Sequence, residues 1–134
     1  MCIGMKKLNA VAWRQLSVNG SSLREIFAAE TYRKTQMGRN GWKEMVQGAS
    51  LQRNCDLEGI NVASATGVKF ARIGIISNNE DDCRTPDSYI GIGLNPRLGC
   101  AITLPSIVCG NYATCGSDNG DNVAIATMGY ILIK

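Results

Sequence analysis

Six cysteines in a chain with no histidine limit what this sequence can fold into more than any other feature. Five of them, Cys55, Cys83, Cys100, Cys109 and Cys115, lie on stretches rich in Gly, Asn, Asp and Pro, where a reduced structural cysteine would find no apolar burial. Disulfides are the economical reading. A zinc site would have to be an irregular all-thiolate or thiolate–carboxylate one, because there is neither histidine nor a C-x-x-C pair. Spacing makes Cys109–Cys115 and Cys83–Cys100 the first local pairs, which leaves Cys2 for Cys55 or for a partner outside the chain.

Disulfides imply export, and the sequon Asn19-Gly20-Ser21 agrees with it. The opening "MCIGMKKLNAVAW" has its basic pair after the first apolar residues and no long apolar core, so it does not read as a secretory signal. An exported chain without a signal peptide is expected to be part of a longer one. The longest apolar run, residues 129–133, is a strand's worth and far short of the roughly 18–20 residues of a membrane span. This segment is therefore not expected to insert into a membrane. Nucleic acid is not an expected partner either, since the net charge is only +3 and Arg14, Arg24, Arg33, Lys34, Arg39 and Lys43 are scattered.

The 134 residues fit one domain. Residues 8–18 suggest a strand through Val11, Trp13, Leu16 and Val18 before the turn at Asn19-Gly20. Ser22 and Glu25 form a capping box that opens a helix over about 22–34, with Leu23, Ile26 and Phe27 on its apolar face. Trp42, Met45, Val46 and Ala49 recur at i, i+3, i+4 and i+7, predicting a second helix over about 41–51. From Cys55 the period changes toward two, with strands expected at 59–63, 68–77, 88–93 and 122–133. The last is apolar on both faces and reads as a central strand. The class is α+β, with two helices in the N-terminal half and a mainly antiparallel sheet with disulfide-stapled loops in the C-terminal half.

Between the strands at 68–77 and 88–93 lies the polar stretch "NNEDDCRTPDS". Hard cations such as calcium take six to eight oxygen ligands, and Asn78, Asn79, Glu80, Asp81, Asp82 and Asp87 could supply several. The EF-hand spacing is absent. The competing reading is a solvated connection in which Asn and Asp form Asx-turns, Cys83 staples the loop and Pro86 stiffens it. A second stretch, "CGSDNGDN", adds Asp118, Asn119, Asp121 and Asn122; with strands 68–77 and 122–133 as neighbours, both loops would meet around one ion. The candidate metal ligands are thus Asp81, Asp82, Asp87, Asp118 and Asp121, with Asn79, Asn119 and Tyr112 as candidate ligand contacts.

Catalysis has weaker support. Crowding Glu80, Asp81 and Asp82 on one loop does not specify two carboxylates facing across a cleft, and the usual serine or cysteine nucleophile lacks its histidine. "GIGLNPRLG" lacks the G-K-[ST] of a phosphate loop, and its glycines read as close backbone packing beside a disulfide. Trp13 and Trp42 read as core, whereas Tyr112, between two cysteines, reads as an exposed stacking residue.

The segments "ARIGIISNNEDDCRTPDSYIGIG", "CGNYATCGSDNGDN" and "ATMGYILIK" resemble the carboxy-terminal part of fibrinogen-related or intelectin-like extracellular domains, including those of invertebrate extracellular- and skeletal-matrix proteins. The likeness covers roughly residues 55–134. It implies a single fibrinogen-like domain, whole or partial, that is secreted or part of a cell-surface ectodomain and recognises a carbohydrate or matrix ligand without catalysis, with calcium as the cofactor. The alternative is a disulfide-stabilised structural matrix segment without a ligand site. Carried over as candidates are Cys83, Cys109 and Cys115 and the acids Asp82, Asp87 and Asp121. No sugar site is carried over, because such sites use histidines that this chain lacks.

Overall fold

Two antiparallel sheets and two short helices organise the chain; the structure, a computed structural model, describes residues 1–28, 30–63, 67–96, 100, 104–118 and 122–133. In order these are β1 (Cys2–Lys7), β2 (Ala10–Gln15), α1 (Leu23–Ala28), β3 (Arg33–Lys34), α2 (Gly38–Glu44), β4 (Asn54–Ala63), β5 (Lys69–Asn78), β6 (Ser88–Leu94), β7 (Cys109–Ala113), β8 (Val123–Ala126) and β9 (Met128–Leu132). The smaller sheet has the order β2-β1-β9 and the larger one β3-β4-β5-β6-β7-β8. A mostly antiparallel α+β chain is thus observed, although β1 to β3 place sheet in the N-terminal half as well.

The expected strand at 8–18 is instead the second arm of a hairpin that begins at Cys2. Leu8, at φ +54 and 85% exposed, makes the two-residue turn, a left-handed conformation that an apolar residue does not advertise. At α1 the capping serine behaves as expected: the Glu25 amide donates to Ser22 Oγ at 3.1 Å. The Glu25 carboxylate, however, accepts from the amide and hydroxyl of Ser21, both at 2.7 Å. The helix stops after six residues because positions beyond Phe27 offer no further apolar face, and Glu30 sits at φ +51. In the second helical segment all four periodic residues, Trp42, Met45, Val46 and Ala49, are buried as expected. The regular helix nevertheless ends at Glu44, and the chain tightens into i to i−3 bonds at Met45, Val46 and Ala49.

Both faces of the large sheet are covered. One carries Ile60, Ile73, Ile75 and Ile90 against Ile3 and Met5 of β1, Ile26 of α1 and Trp42 of α2. The other carries Phe70, Ile76, Tyr89 and Tyr112 with Val62, Leu94 and Ile107. Burial on both faces explains why β5 and β6 read as near-continuous apolar runs. Gly59, Gly74, Gly91 and Gly110 stand opposite one another in a row across β4 to β7. A Cβ on Gly91 would lie 2.2 Å from the Ile73 carbonyl oxygen, and one on Gly110 would lie 1.9 Å from that of Ile125. Close backbone packing is therefore the role of Gly91, against a neighbouring strand and not beside a disulfide.

The C-terminal segment departs most from expectation. The chain does not form one central strand over 122–133: β8 is the edge of the large sheet, and β9 crosses over to become an edge of the small one. The break falls at Thr127, whose amide donates to the Cys109 carbonyl at 3.0 Å. Apolar residues on both faces did not mean burial, since Met128, Leu132 and Ile133 are 61%, 53% and 61% exposed.

The disulfides are Cys55–Cys83 and Cys100–Cys115, with Cys2 and Cys109 reduced. This corrects both pairs expected from spacing and removes Cys109 from the bridged set. Extended β7 separates Cys109 from the Cys115 end by about 13 Å, and β6 lies between Cys83 and Cys100, whereas a disulfide needs Cα atoms within roughly 7 Å. Short spacing in sequence misleads where a strand intervenes. The two bridges indicate an oxidising environment, and among the described residues no helix is long and apolar enough to cross a membrane.

Candidate functional site

The acidic connection between β5 and β6 is built as a closed turn. Asn78 is buried, and its side-chain amide donates to the Asp82 carbonyl at 2.7 Å. Asp82 Oδ1 accepts from the Arg84 amide at 2.8 Å and from its Nε at 3.1 Å, and these bonds hold the Asp82 carboxyl below its ordinary range. Cys83 bridges the turn to Cys55 at the start of β4. Asn79 is exposed, and its carbonyl accepts from the Asn54 side chain at 2.7 Å. Asp81 is exposed beside it.

Strand β5 is not the neighbour of β8, as β6 and β7 stand between them. The pairings Ser77–Ser88, Ser88–Ala113 and Ala113–Val123 still bring both polar loops to one end of the sheet. Asp118, however, turns back toward α2. Its Oδ1 accepts from Ser50 Oγ at 2.6 Å and from the Leu51 amide at 3.2 Å, while Oδ2 pairs with Lys43 and, at 3.5 Å, with Arg39. Burial pushes this carboxyl up, but Lys43, Ser50 and the Leu51 amide outweigh it and hold it at about 2. Asp121 and Asn119 lie outside the described residues.

Asp87 has a different environment. Its backbone is pinned, with the amide donating to the Ser77 carbonyl at 3.2 Å and the carbonyl accepting from the Thr114 amide at 3.0 Å. The half-buried carboxyl lies against the Gln52 side chain; burial, then the charge of Glu80, pushes it above its ordinary range despite Gln52. Tyr112 is only 1% exposed and packs edge-on against Tyr89 at 6.2 Å, so it is a core residue and no stacking platform. Among the described residues no three His, Cys, Asp or Glu side chains cluster as a ready metal centre.

Exposed aromatic surface is found instead on the small sheet. Residues opposite one another in antiparallel strands share a face, so Val11, Lys6 and Met128, then Trp13, Gly4 and Tyr130, then Gln15, Cys2 and Leu132 form three rows on the side away from Ile3 and Met5. Gly4 lets the Trp13 ring lie across the central strand, where a Cβ would meet that ring at 2.6 Å. Trp13 is 41% exposed, and its ring pairs with that of Tyr130 at 5.8 Å. Trp42 is core as expected, but Trp13 is not. The missed signal was its alternation with Val11 and Gln15, opposite the buried register of Ile3 and Met5.

One buried carboxylate also escaped the sequence reading. Glu58 of β4 accepts from Thr35 Oγ1 at 2.7 Å, the Met37 amide at 3.0 Å, the Gly38 amide at 2.8 Å and Trp42 Nε1 at 2.9 Å. It organises the start of α2, whose N-cap residue offers no side-chain bond. Comparison with known proteins brings no match: no family profile, curated protein or solved structure resembles the chain.

Proposed function

We propose that this chain is an extracellular, non-catalytic recognition module, secreted or part of a cell-surface ectodomain, that binds a glycan or an extracellular-matrix component on the outer face of its small sheet. The observation that carries this reading is the Trp13–Tyr130 pair, with Trp13 exposed and Tyr130 half-buried beside it, flanked by the exposed Val11, Met128 and Leu132. Aromatic rings carried on the strands of a sheet offer an apolar stacking surface at little conformational cost. The Cys55–Cys83 and Cys100–Cys115 bridges suit such a module outside the cell. Calcium is the cofactor of this reading, and the fibrinogen-like resemblance belongs to it as well.

The second reading is a disulfide-stabilised matrix segment without a ligand site. In its favour, Asp82 is engaged by Arg84, and Asp118 by Lys43 and Arg39. A glycan and matrix-protein panel, followed by calorimetry on the ligand it identifies, separates the two. Trp13→Ala is expected to weaken binding about tenfold or more, the equivalent of about 1.4 kcal/mol, with the melt nearly unchanged. Saturable binding indifferent to Trp13 and Tyr130 would move the ligand off this face, and no binding at all would favour the structural segment.

A further inference from the structure

We propose that Asn19 is a glycosylation site, its side-chain nitrogen carrying an asparagine-linked oligosaccharide joined through N-acetylglucosamine. The proposal rests on the extracellular element of the recognition reading, but not on its aromatic face.

Of the chain's asparagines only Asn19 stands in the acceptor pattern Asn-x-Ser/Thr with a residue other than proline in the middle. Such a pattern also recurs by chance, so the folded position has to admit the modification. Asn19 lies in the connection between β2 and α1 and is exposed. Its backbone is fixed: the Asn19 carbonyl accepts from Arg33 Nη1 at 2.6 Å, Arg33 Nη2 donates to Glu25 Oε1 at 3.0 Å, and Glu25 Oε2 accepts from the amide and hydroxyl of Ser21. Its side-chain amide, in contrast, makes no hydrogen bond among the described residues. Asn78 and Asn111, both buried, donate theirs to backbone carbonyls. An exposed amide without a structural task can be substituted on nitrogen at no cost to the fold.

Glycine in the middle of the pattern has its own reason, since a Cβ on Gly20 would lie 2.6 Å from the Ile26 side chain. Ile26 packs with Ile3 and Met5, so this connection stands on the inner side of the small sheet, away from the face that carries Trp13. The oligosaccharide therefore leaves the recognition face open. The two disulfides indicate a chain that passes through an oxidising compartment, where the transfer takes place. The donor is an oligosaccharide linked to a polyprenyl diphosphate. A bond forms between Asn19 Nδ2 and C1 of the first sugar as the bond from C1 to the diphosphate oxygen breaks. The polyprenyl diphosphate leaves with the electron pair, the amide gives up one proton, and nothing is oxidised or reduced.

The full chain, directed into the secretory pathway of an animal cell by an added leader, is tested by intact mass and peptide mapping of both the membrane fraction and the medium. One glycan is expected, removed by peptide-N-glycosidase with Asn19 left as aspartate. Asn19→Gln and Ser21→Ala should lose it, and Ser21→Thr, which restores the hydroxyl, should keep it. Asn19→Gln should melt with the enzymatically deglycosylated parent, so that loss of the glycan is not a loss of fold. Cleavage of the leader shows that a chain has met the transferase. An unmodified Asn19 in leader-free chain from either fraction, or a glycan that persists in Asn19→Gln, would overturn the site. Trp13-dependent ligand binding by a chain without the glycan would remove the modification and leave the recognition face standing; a glycosylated chain that binds no ligand would do the reverse.

Discussion

Gly91→Ala is expected to leave the chain unfolded or barely folded. Gly91 sits at φ +157 between β5 and β7, and a Cβ there would lie 2.2 Å from the Ile73 carbonyl oxygen and 2.7 Å from the Gly74 Cα. Both atoms are backbone in the middle of the large sheet, so no side chain can swing aside. The strands must separate, and the row through Gly59, Gly74 and Gly110 loses register with them. Changes of this kind cost about 4 kcal/mol or more, against a typical total stability of about 5–15 kcal/mol. A thermal melt by circular dichroism should show the midpoint falling by roughly 15 °C or the transition vanishing. Gly67→Ala is the comparison: among the described residues beyond its chain neighbours no atom stands within 4 Å of the place its new methyl would take, although φ +79 strains it, and the loss there should be far smaller. A Gly91→Ala chain as stable as Gly67→Ala would disprove the close-packed row.

Glu58→Ala is expected to cost about 3–5 kcal/mol, because Thr35 Oγ1, Trp42 Nε1 and the amides of Met37 and Gly38 lose their common acceptor in a site only 8% exposed. Burial pushes the Glu58 carboxyl up, but Thr35, Trp42, Gly38 and Met37 outweigh it and hold it below its ordinary value. A carboxyl lowered on folding contributes stability above its unfolded value of about 4.3 and loses it as pH falls through the folded value. The stability gap between the parent and Glu58→Gln should therefore be widest near neutrality and narrow in acid below about pH 4. Urea titrations at neutral and acid pH, followed by Trp42 emission in a Trp13→Phe background, read this directly. A gap that is constant with pH would assign Glu58 a packing role alone.

What could be read in the sequence was whatever depends on near neighbours. The Ser22 cap, the four buried residues of the 42–49 segment and the strands around 59–63, 68–77 and 88–93 follow from spacing, because the hydrogen bonds and apolar faces concerned repeat within a turn or a pleat. The turn-forming role of Asp82 was legible for the same reason, its partners lying two residues away. The hairpin turn at Leu8 was not, since nothing in an exposed leucine announces a left-handed backbone.

For the candidate site the division is sharper. Composition picked out Asp87 and Asp118 alike as acids in polar loops, and only packing separated them: Asp118 meets Lys43 and Arg39 from a helix more than 70 positions earlier, while Asp87 is half-buried beside Gln52 and feels the like charge of Glu80. The exposed role of Trp13 and the buried one of Tyr112 also depended on which strand lay alongside, β1 with its Gly4 in one case and β6 in the other. Residue types and their local spacing specified an oxidised, mostly antiparallel chain with local caps and turns. The disulfide partners, the edge position of β9 and the environment of each carboxylate came from long-range packing, because each depends on strands far apart in sequence placing two groups within a few ångströms.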